Sequence, residues 1–155
     1  METKTEYATA MLFSAARTGD VAKARAALDA KADVTATTTG NLTPLHVAAY
    51  NGDAHLAKLL LENGADVNAK TLEQQTPLHF AARNGTWSTV GLLLARGADV
   101  NASESVSGET PLQAATRFGR DDIVVLLENA AKKQEGHAGR IIDERKDKGP
   151  PQVGG

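Results

Sequence analysis

The chain has no cysteine. Disulfides, thiol catalysis and thiolate metal sites are therefore excluded. Aromatic residues make up only 4%, so the core must be built from alanine, leucine and valine, which suits thin layers packed closely. Neither sign of charge dominates: the formal net charge is −2, which gives no broad basic field to attract nucleic acid or a membrane surface. No apolar run is long enough to span a bilayer, and the opening METKTEYATAMLFSAA lacks the pattern of a secretory signal. With the missing cysteines, this makes the cytoplasm the expected location. What is present is ordinary for a soluble chain of one domain: 155 residues, 41% hydrophobic and 23% charged.

One phrase, however, is written three times. It reads TPLHVAAYNGD from Thr43, TPLHFAARNGT from Thr76 and TPLQAATRFGR from Thr110. The starts lie 33 and 34 residues apart. A fixed period of this size means stacked structural repeats.

Each unit reads as helix, turn, helix, loop. Thr43 can cap a helix through its hydroxyl, and Pro44 occupies the first helical position, where its missing N–H costs nothing. Leu45, Ala48 and Ala49 form an apolar stripe, with the alanines allowing close approach. Asn51-Gly52 stops this helix, Gly52 being free to adopt positive φ. Leu56, Leu59, Leu60 and Leu61 mark a second helix, which Asn63-Gly64 ends. The next unit follows suit with Leu78, Ala81, Ala82 and Gly85, then Leu92, Leu93, Leu94 and Gly97. Shifting back by one period makes Leu12–Ala16 and Ala24–Leu28 a degenerate first repeat, with Thr3 and Glu6 as a capping box. A fourth repeat keeps Thr110, Pro111, Leu112, Ala114, Ala115 and Gly119, and its second helix runs from Ile123 to about Lys132. Beyond it, Gln134–Gly139 reads as a flexible break and residues 133–155 as a tail, partly or wholly disordered.

These motifs resemble the ankyrin-repeat family. The resemblance covers roughly residues 7–132, in repeats of about 7–36, 37–69, 70–102 and 103–132. It implies an all-α solenoid of four helix-turn-helix repeats with projecting β-hairpin-like finger loops, stabilised by contacts between neighbouring repeats. The expected fingers are Thr37–Leu42, Lys70–Gln75 and Ser103–Glu109.

The candidate site residues follow from this reading. The first helices end in variable pairs that the resemblance places on the concave side: Arg17-Thr18, Tyr50-Asn51, Arg83-Asn84 and Arg117-Phe118. Arginines beside aromatic residues suit a partner with carboxylates and an apolar anchor. On the fingers, Lys70, Leu72, Glu73 and Val106 stand at candidate contact positions. Trp87, the lone tryptophan, is either an edge-packing residue against the fourth repeat or a binding anchor.

Other chemistry has little support. The resemblance makes His46 and His79 structural, each bonded to backbone of the next finger; two ligands on separate repeats do not make a zinc site. Asp66 and Asp99 are one position repeated, suited to turn formation through side-chain-to-backbone bonds. No Ser/His/Asp set or phosphate-cradling loop accompanies them. The expected function is that of a monomeric, non-catalytic module that binds another protein, without cofactor, metal, nucleic acid or membrane. A spacer with no specific partner is the alternative. A kinase-inhibitor type is disfavoured, because such ankyrin proteins have an irregular second repeat and this one is regular.

Overall fold

The computed structural model describes residues 3–147 of the chain, and side chains as far as residue 135. Eight helices succeed one another among these residues, with no strand. They are α1 (Lys4–Thr18), α2 (Val21–Asp29), α3 (Pro44–Asn51), α4 (Ala54–Glu62), α5 (Pro77–Asn84), α6 (Trp87–Ala95), α7 (Pro111–Arg117) and α8 (Asp121–Asp147). Each repeat is one helix pair.

The start of every first helix is specified locally. Thr43 and Thr110 accept hydrogen bonds from the backbone N–H groups of His46 and Gln113, and Pro44, Pro77 and Pro111 pre-set φ for the first turn. Thr3 and Glu6 form the expected capping box ahead of α1. The second helices are capped by Asp20, Asp53 and Thr86, which accept from Lys23, Leu56 and Thr89 backbone N–H. Such caps contribute about 1 kcal/mol each. They matter in helices of only seven to nine residues, as α2 to α7 are, because isolated helices this short do not persist in water.

Packing supplies the rest. Leu12, Leu45 and Leu78 of the first helices, and Leu56, Leu60, Leu93, Ile123 and Leu127 of the second, are buried. The alanine pairs 15/16, 48/49, 81/82 and 114/115 are fully enclosed. With only a methyl group at the contact, α1, α3, α5 and α7 can approach closely. Neighbouring first helices touch more extensively than neighbouring second helices. The first-helix row is therefore the short side of a curved slab, and its outward surface with the fingers forms the inner face.

Three features depart from the sequence reading. Gly52 ends α3 with φ 71°, as expected, but Gly85 is extended at φ −80°. Glycine is required at position 85 by proximity instead: an added Cβ would lie 2.7 Å from the Ala81 carbonyl oxygen and 2.9 Å from that of Ala49. The fingers are turns rather than hairpins of paired strands. Thr38, Thr71 and Glu104 donate backbone N–H to Leu42, Gln75 and Glu109 at 2.9–3.0 Å, which leaves too few residues for a ladder. Finally, α8 continues through the expected break at Gln134–Gly139 to Asp147. Its first turns are docked and already nucleated, so Gly136 and Gly139 cost only about 1 kcal/mol each amid strong helix formers. Residues 148–155 of the expected tail lie outside the described residues.

Candidate functional site

The inner face is assembled from bonds that cross repeat boundaries. In His46, Nδ1 accepts from the Thr43 backbone N–H at 3.0 Å. This places the proton on Nε2, which donates to the Gln75 carbonyl oxygen at 3.1 Å. His79 repeats the arrangement with Thr76 at 3.0 Å and Glu109 at 2.9 Å. Each histidine thus fastens the base of the next finger. Burial pushes both imidazoles below their ordinary pKa, so they are neutral structural groups. In the fourth repeat, Gln113 supplies only the local bond, accepting from Thr110 N–H at 2.9 Å.

The fingers are tied side by side. Leu72 N–H donates to the Gly40 carbonyl at 3.1 Å, and Ser105 N–H to that of Glu73 at 2.8 Å. Buried Glu104 holds the last finger closed, accepting from the Ser107 hydroxyl and from the backbone N–H groups of Val106, Ser107 and Glu109. These donors, the Ser107 hydroxyl first, hold its carboxyl down at about 2. Leu72 and Val106 stand 64% and 77% exposed on the tips, with Lys70 and Glu73 also exposed. Asp66 and Asp99 accept from Asn68 and Asn101 N–H at 2.9 Å, as turn formers.

The helix-end pairs divide into two kinds. Asn51 donates to the carbonyls of Ala16 and Arg17 at 3.1 and 3.2 Å, and Asn84 to that of Tyr50 at 3.2 Å. Both amides hold neighbouring repeats together through their NH2 groups, while both residues remain exposed. Phe118 takes that position in the last repeat and has no amide to offer. Arg120 substitutes, donating to the carbonyls of Arg83 and Gly85. Asn51 and Asn84 are candidate binding residues by sequence; their spacing gives no sign of the bonds that their donors make across the stack.

The other members form a surface. Tyr50 meets Phe80 edge-on with ring centroids 6.3 Å apart, and His46 meets it edge-on at 5.3 Å. The Arg83 guanidinium lies 5.7 Å from the Phe80 ring centre, and its Nε is shielded from water without a hydrogen-bond partner. Phe80 was not singled out from the sequence, although its position in the TPLH phrase holds Val47 and Ala114 in the other repeats. Arg117 differs from Arg83. It makes two bonds to the Glu109 carboxylate, at 2.6 and 2.9 Å, and lies 4.5 Å from the Phe118 ring centre. The Arg117 bond holds the Glu109 carboxyl below the usual carboxylate range, and Glu109 raises the Arg117 pKa. Arg17 is exposed at the end of α1 and has no ion pair among the described residues. Trp87 belongs to the second-helix row and is 57% exposed, so it is not enclosed against the fourth repeat.

Among the described residues, no helix is long and apolar enough to cross a membrane, and no group of three His, Cys, Asp or Glu side chains could hold a metal ion. The family model for ankyrin repeats (3 copies) matches residues 2–71 and 45–136. The chain belongs to the ankyrin-repeat family, whose repeats are in general protein–protein interaction modules and typically non-catalytic. Comparison with curated proteins yields no match.

Proposed function

We propose that this protein is a monomeric, non-catalytic adaptor or regulator that binds a partner protein in the cytoplasm, without cofactor or nucleic acid, through its inner face. The observation that carries the reading is the patch of Tyr50, Phe80 and Arg83, in which two aromatic rings stand beside a guanidinium with an unsatisfied Nε. Arg17 and Arg83 occupy one column two repeats apart, which at 8–10 Å per packed helix is about 20 Å. An extended segment covers that distance in about six residues. The fitting ligand carries two carboxylates at this separation, with an apolar residue between them over Tyr50 and Phe80. Arg117, already paired with Glu109, contributes less charge than its sequence position suggests. Leu72 and Val106 add apolar contacts from the fingers.

Affinity capture from the source cells with the wild type and a Tyr50→Ala/Arg83→Glu variant tests this reading. A stoichiometric protein captured by the wild type and lost with the variant is the expected result. Equal capture by both would remove the inner face as the site, and no specific partner would favour a spacer.

A further inference from the structure

The outer side of the slab carries a second surface. A groove of about 360 Å³ runs between α6 and α8, lined on one wall by Gly91, Leu94 and Ala95 and on the other by Leu126, Asn129, Ala130 and Lys133. Both walls follow helical i, i+3, i+4 spacing, so each is one continuous stripe. Trp87, four residues before Gly91 on the same helix face, extends the first stripe with its exposed ring.

The other repeats do not present this stripe. Lys58 and Glu62 of α4 stand at the positions of Gly91 and Ala95, and pair with each other at 3.9 Å. In α2 the same positions are Arg25 and Asp29. The groove between α2 and α4 places Arg25, Asp53, His55, Lys58 and Glu62 beside Gly19, Val21 and Leu59, so charged side chains stand among its apolar ones. Of the first three repeats only the third has no charge at these positions, carrying Gly91 and Ala95; the fourth has Val125 and Asn129. Glycine inside a helix is unfavourable relative to alanine, and no neighbour demands it here: a Cβ at Gly91 would meet nothing within 4 Å. Its effect is to deepen the groove.

The two ends of the groove differ in charge. Asp121 and Asp122, exposed in the first turn of α8, flank the Trp87 end. Arg120, beside them, is held by the carbonyls of Arg83 and Gly85. At the other end lie Arg96, Lys132 and Lys133, all exposed, with the carboxylates of Asp99, three residues after Arg96, and Glu135, two after Lys133, also exposed. Protein helices favour acidic residues in their first turn and basic residues in their last. Such a helix matches this groove in one direction, with its N-terminus over Lys133 and its C-terminus over Asp121. From Asp121 to Lys133 the helix rises by twelve steps, or about 18 Å.

We infer that the α6–α8 groove docks an amphipathic helix from a partner, antiparallel to α8, with an apolar stripe against Trp87, Gly91, Leu94 and Leu126, an acidic first turn and a basic last turn. This surface is independent of the inner face, and either reading can fail without the other.

Two synthetic peptides of about fourteen residues test it. They share one leucine stripe. One carries glutamates in its first turn and lysines in its last; the other has these charges exchanged. Binding to the full chain is followed by Trp87 fluorescence and by the NMR shift of the Gly91 amide. The acidic-first peptide is expected to bind saturably and about tenfold more tightly than its counterpart, with the preference shrinking at high salt. Gly91→Glu is expected to abolish binding of both while circular dichroism and melting temperature show an intact fold. Lys132→Glu/Lys133→Glu is expected to erase or reverse the preference. Absence of saturable binding, equal affinity for the two peptides, or binding that survives Gly91→Glu would overturn the inference.

Discussion

The Arg117 guanidinium grips the Glu109 carboxylate in a two-point bond, and the backbone carbonyl of that same Glu109 accepts the proton of His79. One residue thus serves two purposes: its carbonyl fixes the finger and its carboxylate restrains a surface arginine. Glu109→Gln removes only the second. Because Arg117 remains largely exposed, the expected destabilisation is small and shrinks with added salt. Urea unfolding at two ionic strengths measures it. A loss of several kcal/mol, insensitive to salt, would show that the carboxylate is needed to hold the finger.

The histidine bonds predict a pH dependence near neutrality. Burial lowers the pKa of His46 and His79 in the folded state. Between the folded and unfolded values the unfolded chain binds more protons, so stability is full above about 6.5 and declines as pH falls below it. Each histidine can contribute a slope of at most about 1.4 kcal/mol per pH unit. His79→Gln copies the residue that Gln113 already provides in the fourth repeat. It should lower stability at pH 7.5 while reducing the decline between pH 6.5 and 5. Unfolding titrations across that range decide it; an unaltered decline would mean that His79 takes no part.

Lys31 occupies the position that glycine holds after α4 and α6. Its φ is 69°, beside 97° for Gly64 and 90° for Gly97. A lysine in the left-handed region is strained by about 1–2 kcal/mol, partly offset by the extra freedom glycine brings to the unfolded chain. Lys31→Gly is expected to stabilise by about 0.5–1 kcal/mol, read as a rise of a few degrees in melting temperature. A fall would show that the lysine side chain compensates for its backbone.

Two glycines should resist replacement for different reasons. Gly52→Val combines positive φ with a Cβ placed 2.8 Å from Thr86 Cγ2, and should cost about 2 kcal/mol or more. Gly85→Ala meets backbone atoms that cannot turn aside, and a similar cost is expected without any contribution from φ. Calorimetry on the two single variants provides the check, and an unchanged melting temperature for Gly85→Ala would contradict the packing described for α3 against α5.

Much of the fold could be read from local chemistry. Threonine before proline at the start of three helices, and alanine pairs one period apart, concern atoms only a turn or a layer away. Residues whose meaning depends on a neighbouring repeat were harder to read. Asn51 and Asn84 look like free polar surface until the carbonyls they engage are seen. Gly85 repeats the place of Gly52 but not its backbone angle. Phe80 differs from Val47 and Ala114 by a single letter, and only the adjacency of Tyr50 and Arg83 makes it the middle of a patch. In α8, two glycines suggested a break, but sequence pattern cannot weigh them against a helix already anchored by Ile123 and Leu127.

The histidine bonds point in one direction along the chain. The third repeat gives the His79 proton to the finger that follows and offers the Gln75 carbonyl to His46 of the repeat before it. A copy of the unit beginning at Thr76, inserted behind the original, would regenerate both joints without further change. A copy of either end would not, because Phe13, which stands one period before His46, has no proton to give and Gln113 bonds only within its own repeat. The molecule therefore has two terminators and an extensible middle, and its length could change by whole units inserted between them.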